Sequence, residues 1–238
     1  MISYSTVGYA FIGGVLPACV WLYFLLKEDN RCPEPKPLIL IAFISGALAV
    51  AFALPLEHLT KTLFQGDLAV LLTWATVEEV LKYAIVSLTV LWRRAVDESV
   101  DLVVYMITAA LGFAALENAL FFFQALTSYG FWGSDGAIAS GNLRFVGSTL
   151  LHIIASAAIG FALALGFRTH RAVRALYATA GLILAITLHT AFNFLIITGD
   201  GSHTLFAFFV VWIGAIAFFA AFEILKYLRY RNLPKNTC

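Results

Sequence analysis

Three ionisable residues lie within the apolar stretch 73-TWATVEEVLKYAIVSL-88, namely Glu78, Glu79 and Lys82. An ionisable side chain is costly in a membrane-spanning helix unless it is paired or used. Glu78 and Lys82 are four residues apart, so on a helix they share a face and can form an ion pair. Glu79 is rotated from Glu78 by about 100° and faces another direction. One lysine cannot neutralise two glutamates, so the stretch predicts a further role for a carboxylate.

Later apolar stretches carry more residues that can activate water. They are Glu117 and Asn118 in 112-GFAALENALFFF-123, His152 in the next stretch, and His189 with Asn193 in the one after. In such a set a carboxylate takes a proton from water and a histidine orients the water. An amide or imidazole N–H then stabilises the developing oxyanion. The residue types therefore indicate hydrolysis by an activated water molecule.

A divalent metal such as zinc is an alternative way to activate the water. Catalytic zinc sites combine histidine and carboxylate ligands with one open position. The candidate ligands are Glu78, Glu117, His152 and His189. The sequence does not distinguish a metal-assisted site from one that uses glutamate and histidine alone, and no cofactor is certain. A serine triad is not expected, because Ser148 and Ser156 lie on the same helix as His152 and suit packing.

The overall composition defines the class of protein that must position these residues. Of the 238 residues, 61% are hydrophobic and 12% are charged, and the mean hydropathy is +0.89. Soluble domains carry about 25% charged residues, so this is an integral membrane protein. The net charge of +1 gives no indication of nucleic-acid binding. Three scattered cysteines do not form a disulfide framework.

Seven stretches are long enough to cross the membrane as helices, which requires about 20 apolar residues each. They are approximately 7–26, 38–56, 68–92, 102–127, 145–167, 175–197 and 204–225. We therefore predict an all-α, polytopic membrane bundle of about seven transmembrane helices, with Pro17 kinking the first and Pro55 ending the second. Residues 1–238 form one transmembrane domain with its catalytic centre within 68–197. Residues 226–238 form a short basic tail.

The distribution of lysine and arginine predicts the orientation. With seven helices, all but three of the 15 basic residues fall on one side of the membrane or in the tail, the exceptions being Lys61, Lys82 and Arg144. Basic residues concentrate in cytoplasmic loops. The N-terminus is therefore expected outside the cytoplasm and the C-terminus inside.

With this orientation the intramembrane polar residues share one depth. Counting about 1.5 Å per residue along helices that alternate in direction places them about 10–15 Å below the outer face. This holds for Glu78 and Glu79, for Glu117, and for both histidines, His152 and His189. We therefore predict one shared site near the outer face.

The order of these motifs resembles the PrsW family of intramembrane proteases, which is distantly similar to the type II CAAX prenyl endopeptidases. The motifs are EExxK at Glu78, FxxxEN at Glu117, the small-residue helix from His152 to Gly160, and the histidine helix with His189. The resemblance covers roughly residues 70–195. In the CAAX relatives the first motif is EExxxR and the second is FxxxH. This chain departs from that pattern at Lys82, which stands one position earlier than the arginine, and at Glu117, which stands in place of the histidine.

The resemblance implies an endopeptidase in a prokaryotic plasma membrane that acts on a membrane-anchored protein. It also implies site-1 cleavage of a signalling protein such as an anti-sigma factor, outside the cytoplasm. Our mechanistic hypothesis makes Glu78 the general base. Glu79 supports Glu78, and Lys82 balances the charge of the carboxylates. His152 orients the water or binds a metal, and Glu117 orients a histidine or binds a metal. His189 and Asn193 stabilise the oxyanion, while Asn118 and Arg144 have supporting positions.

Other functions would use the same residues differently. A proton-coupled transporter is one alternative, although the inner halves of the middle spans are mostly apolar and no inverted repeat is evident. A catalytically inactive binding or immunity protein on the same scaffold is another. A metal hydrolase that acts on lipids is a third. For all of them the expected surroundings are the lipid bilayer, without nucleic acid, and the oligomeric state is unknown.

Overall fold

The computed structural model describes residues 4–130, 147–197 and 204–231 and is all-helical, with no strand within these ranges. The helices are α1 (Tyr4–Glu28), α2 (Lys36–Leu63), α3 (Asp67–Val86), α4 (Ser99–Tyr129), α5 (Thr149–Leu165), α6 (Arg171–Ile197) and α7 (Thr204–Tyr230). A π-helical turn, Ser87–Leu91, continues α3. Arg144 and most of the outer loop 128–143 lie outside the described residues.

These helices match the seven predicted spans one by one and confirm a polytopic helical membrane bundle. Five of them, α1, α2, α4, α6 and α7, are long and apolar enough to cross a membrane by length and composition. The other two are special cases. The helix α3 contains three charged residues near its middle, and α5 is an apolar helix of 17 residues. The predicted orientation of the termini stays a prediction.

Helix α4 forms the centre of the bundle. In its most apolar stretch 89% of the residues are buried, against 22% in α1 and 39% in α2. It packs mainly against α1, α2 and α5, while α6 packs on α5 and α3. Gly46 of α2 faces the backbone of Ala109, and Gly112 of α4 faces the backbone of Phe43. A side chain at either glycine would collide with the other helix, so both residues permit close packing of α2 on α4.

Pro55 does not end the second helix, and that prediction is wrong. The helix α2 continues through Pro55 to Leu63. A proline removes one backbone donor, but membrane helices tolerate this when neighbouring groups support the chain. Here Trp74 of α3 supports the segment beyond the proline, because its indole Nε1 donates to the Glu57 carbonyl at 3.1 Å and to Thr60 Oγ1 at 2.8 Å.

A cluster of carboxyl groups joins the helix ends that we predict to face the cytoplasm. Glu98, before α4, accepts hydrogen bonds from Arg229 (2.9 Å) and Tyr230 (2.8 Å) of α7. Glu34 accepts one from Tyr105. Burial, followed by the nearby charges of Asp101 and Glu98, raises the pKa of Asp29 to about 7. Burial and a hydrogen bond with Asp101 raise the pKa of Glu34 to about 9.

Candidate active site

Helix α3 points all three of its central charged side chains into the bundle. Glu78 is 5% exposed, and Glu79 and Lys82 are fully buried. Lys82 Nζ lies 2.6 Å from Glu79 Oε1 but 3.9 Å from Glu78 Oε2. The lysine therefore pairs closely with Glu79, whereas the sequence suggested Glu78. The Lys82 side chain reaches back about one helical turn to Glu79, so its contact with Glu78 is distant.

His152 of α5 lies between α3 and α4. Its Nδ1 is 3.0 Å from Lys82 Nζ, and its Nε2 is 3.0 Å from Glu117 Oε2. A lysine ammonium has only donors, so Nδ1 must accept this hydrogen bond. Nε2 then carries the ring proton, and this N–H donates a hydrogen bond to the Glu117 carboxylate. The two neighbours thus define both the ring orientation and the tautomer of His152.

His189 of α6 is held in a similar way by Glu79. His189 Nδ1 lies 2.8 Å from Glu79 Oε1, and a carboxylate oxygen can only accept, so Nδ1 donates. The second oxygen of Glu79 accepts a longer bond of 3.5 Å from the Ser156 hydroxyl. The other ring nitrogen, His189 Nε2, faces Glu78 Oε2 at 3.9 Å. Glu79 therefore positions the lysine and a histidine at once.

Glu78 differs from its neighbour because its buried Oε2 has no hydrogen-bond partner among the described residues. This oxygen lies 3.9 Å from Lys82 Nζ, from His152 Nδ1 and from His189 Nε2. One ligand atom from each of Glu78, His152 and His189 lies within 4.8 Å of the other two. A buried, unpaired carboxylate oxygen surrounded by imidazole nitrogens is suited to hold water or a cation.

These atoms face a cavity of about 530 Å³ inside the bundle. The polar residues that line it are Glu78, Glu117, both histidines and Asn193, together with Glu57 of α2 and Trp74 of α3. The remaining wall is mostly apolar and includes Leu54, Phe121, Phe192, Ile196 and Phe208. The cavity therefore combines an acid–histidine centre with an apolar chamber large enough for a peptide segment.

The supporting residues fall in different places. Asn118 is buried and donates to Thr149 Oγ1 at 2.9 Å, which ties α4 to α5 beside the site. Sequence reasoning missed Glu57 and Trp74, which line the cavity. The sequence signal for Glu57 is an acidic residue two positions after Pro55, just beyond the predicted end of the second span.

Fold and site together define a class of protein: a polytopic helical membrane protein with a buried acid–histidine centre in a cavity. Comparison with known families agrees, since residues 34–222 match the model of the PrsW family intramembrane metalloprotease. The chain belongs to the PrsW family and is an intramembrane protease with several membrane-spanning helices.

Individual relatives are distant but cover most of the chain. Protease PrsW of Oceanobacillus iheyensis is 27% identical over 195 residues, which span 81% of this chain and 84% of that protein. Protease PrsW of Geobacillus kaustophilus is 28% identical over 193 residues, 79% of each chain. Protease PrsW of Clostridioides difficile is 23% identical over 193 residues, 78% of each. No solved structure matches the chain.

Proposed function

We propose that the protein hydrolyses peptide bonds of membrane-anchored proteins by a water molecule that Glu78 activates. The observation that carries this proposal is the position of Glu78 Oε2, buried without a hydrogen-bond partner among the described residues and 3.9 Å from His189 Nε2. A water molecule between these two acceptors would donate one hydrogen to each. This leaves its oxygen lone pairs directed at a substrate carbonyl.

The reaction then follows from the functional groups present. Glu78 takes a proton as the water oxygen forms a bond to the scissile carbonyl carbon. The amide of Asn193, which lines the same cavity, donates to the oxyanion. Glu78 returns the proton to the nitrogen of the leaving amine as the C–N bond breaks. The products are a carboxylic acid and an amine, and no other reactant is needed.

The other polar residues position these groups. Glu79 accepts from His189 Nδ1, so His189 keeps its Nε2 lone pair toward the water. Lys82 and Glu117 hold His152 from both sides of its ring. This assigns His189 to binding the water and leaves the oxyanion to Asn193, although the sequence suggested that both stabilise the oxyanion.

A metal ion fits the same donors. Two imidazoles and a carboxylate are common ligands of catalytic zinc, and here they would be His152, His189 and Glu78. Glu79 would support His189 from behind, as carboxylates do in many zinc sites. Lys82 must release His152 Nδ1 before that nitrogen can bind a cation. When bound, such an ion supplies Lewis-acid chemistry that polarises the carbonyl and acidifies the water.

The proposed substrate is a single-pass membrane protein, such as an anti-sigma factor, cut near the outer face. The apolar cavity wall supports a hydrophobic segment as the bound region. The positive-inside pattern and the depth of the site support cleavage outside the cytoplasm.

The test is cleavage of a single-pass substrate by the full chain reconstituted in vesicles. Glu78→Gln should lower the cleavage rate by about 10²–10⁴-fold while the folded protein is retained. The matched control is Glu223→Gln on the exposed side of α7, which should cleave normally. Full activity in folded Glu78→Gln would exclude Glu78 as the base.

A further inference from the structure

Two adjoining cavities lie at the end of α3 that is remote from the active-site chamber. The first, about 540 Å³, lies between the end of α3 and the start of α6. The second, about 300 Å³, extends toward α5. Tyr83, Trp92 and Arg174 line both, and neither shares a lining residue with the active-site cavity. We call the pair the arginine basin.

The charge of the arginine basin is entirely positive. Arg171 and Arg174 line the first cavity, and Arg93 and Arg174 line the second. Among the described residues that line the basin there is no acidic side chain. Three guanidinium groups without a carboxylate would repel one another, and an anion between them removes that repulsion. Arginine is also the side chain best shaped to bind phosphate oxygens.

Two buried donors in the second cavity point to the same conclusion. Arg174 Nε and Ser87 Oγ have no hydrogen-bond partner among the described residues. The arginine is held in place at its other end, since Nη2 donates to the Phe167 carbonyl at 2.6 Å. Buried polar atoms are normally satisfied, so these two call for a ligand rich in acceptors. Ser87 also begins the π-helical turn, a distortion that occurs frequently at functional sites.

The surroundings of the basin favour a lipid as the source of that anion. Trp92 at its rim is 70% exposed, and the neighbouring Leu88, Leu165 and Leu176 are exposed by 84%, 67% and 70%. Exposed leucines of membrane helices face acyl chains, and tryptophan concentrates at the headgroup level. Basic pockets between transmembrane helices on the cytoplasmic side bind anionic headgroups.

We infer that the arginine basin binds the phosphate of an anionic phospholipid headgroup at the membrane surface opposite the active site. The phosphate lies at Arg174, which lines both cavities, with Arg171 on the side of the first cavity and Ser87 on the side of the second. The acyl chains lie along the exposed leucines. This site is separate from the peptidase centre and does not depend on its mechanism.

The experiment measures binding of phosphatidylglycerol to the lipid-stripped full chain in detergent by native mass spectrometry. Arg171→Gln and Arg174→Gln should each weaken binding by about fivefold. The matched control is Arg168→Gln, which removes the same charge in the turn just before α6 but lines neither cavity. Arg174→Gln also loses the bond to Phe167, so Arg171→Gln, an exposed position, provides the test if the former fails to fold.

Phosphatidylcholine and inorganic phosphate complete the measurement. Weaker binding of both than of phosphatidylglycerol supports an anionic lipid. Equal binding of phosphatidylglycerol to the wild type and Arg171→Gln would overturn the site. An equal loss in Arg168→Gln would also overturn it, because it would indicate attraction to the whole basic surface. Inorganic phosphate binding as tightly as the lipid would overturn the lipid assignment.

Discussion

Lys82 of α3 donates to His152 of α5, with Nζ and Nδ1 3.0 Å apart, while the same Nζ lies 2.6 Å from Glu79 Oε1. A buried ammonium thus connects the carboxylate that holds one histidine to the ring of the other. The ion pair is therefore part of the positioning of both histidines.

Removing Lys82 should destabilise the fold because it leaves Glu79 buried without its cation. We expect Lys82→Met to lower the free energy of unfolding by about 3–5 kcal/mol, and Glu79→Gln/Lys82→Met to recover most of that loss. Denaturation in detergent checks both. The control is Lys226→Met, which removes ion pairs with two exposed glutamates. It should change the free energy of unfolding by less than about 1 kcal/mol. A stable Lys82→Met protein would contradict the expected role of the pair.

Glu117 should act by orienting His152, so the shape of its side chain matters more than its charge. Glu117→Gln keeps an oxygen that accepts from His152 Nε2, and we expect less than a tenfold loss of cleavage rate. Glu117→Leu removes the acceptor and should cost about 10–100-fold, as outer-sphere partners of ligating histidines do. Rates from reconstituted protein decide between them. Equal, severe losses in both would indicate that the carboxylate itself reacts or binds metal.

Metal binding and oxyanion stabilisation should separate by mutation. In the metal-assisted alternative, elemental analysis of purified protein finds zinc, and Glu78→Gln or His189→Ala lowers the bound amount. Asn193→Ala should keep the metal but lower the cleavage rate by about 10²–10³-fold, the usual effect of losing an oxyanion donor. In that alternative a chelator removes activity from the wild type, whereas the glutamate–histidine mechanism predicts no loss. Full activity of protein shown to be free of metal would exclude the metal-assisted mechanism and retain the glutamate–histidine mechanism.

The contact between α2 and α4 should be sensitive to a single methyl group. Gly112→Ala places a Cβ against the backbone of Phe43, and we expect a loss of about 1–3 kcal/mol in stability. Gly8→Ala in α1 has open space around the added Cβ and should be neutral or stabilising by up to about 1 kcal/mol. Thermal unfolding of both variants makes the comparison. Equal behaviour would show that the two helices can separate without loss.

The cluster of carboxyl groups at the helix ends that we predict to face the cytoplasm should make stability fall as pH rises. The pKa of Asp29 is raised from 3.8 to about 7 and that of Glu34 from 4.5 to about 9. The folded state therefore binds more protons than the unfolded state between these values, and stability declines from about pH 4 to pH 9. The groups facing Asp29 are Asp101, Glu98 and Lys226.

Asp29→Asn should accordingly raise the unfolding midpoint at pH 8 and change it little at pH 4. Unfolding curves across this range measure the effect. Asp67→Asn, at an exposed carboxylate, is the control and should leave the profile unchanged. A wild-type midpoint that rises from pH 5 to pH 8 would contradict the sign.

Most of the fold could be predicted from the sequence because the thickness of the bilayer sets the length of each apolar stretch. Each span needs about 20 apolar residues, so the seven helices could be placed within a few residues. The exception is Pro55, where α2 continues and the segment beyond the proline accepts hydrogen bonds from Trp74, a residue on another helix. No local pattern reports such support.

The proximity of these acids and histidines was also predictable, but their pairing was not. Alternating helix directions brought Glu78, Glu117, His152 and His189 to one level, and the structure brings them together. Spacing suggested that Lys82 pairs with Glu78, whereas the side-chain conformation favours Glu79. Lys82 also contacts His152, and Glu79 also contacts His189, and only the packed structure reveals these contacts.

Helix α4 is enclosed by its neighbours over most of its length, so it cannot swing outward to admit a substrate. A substrate that enters the chamber from the bilayer, as we propose, would therefore have to pass between the peripheral helices. Phe113 and Glu117 belong to the enclosed helix, so we expect them to move least. Any label for following gate opening should thus be placed on α2 or α6 and referenced to α4.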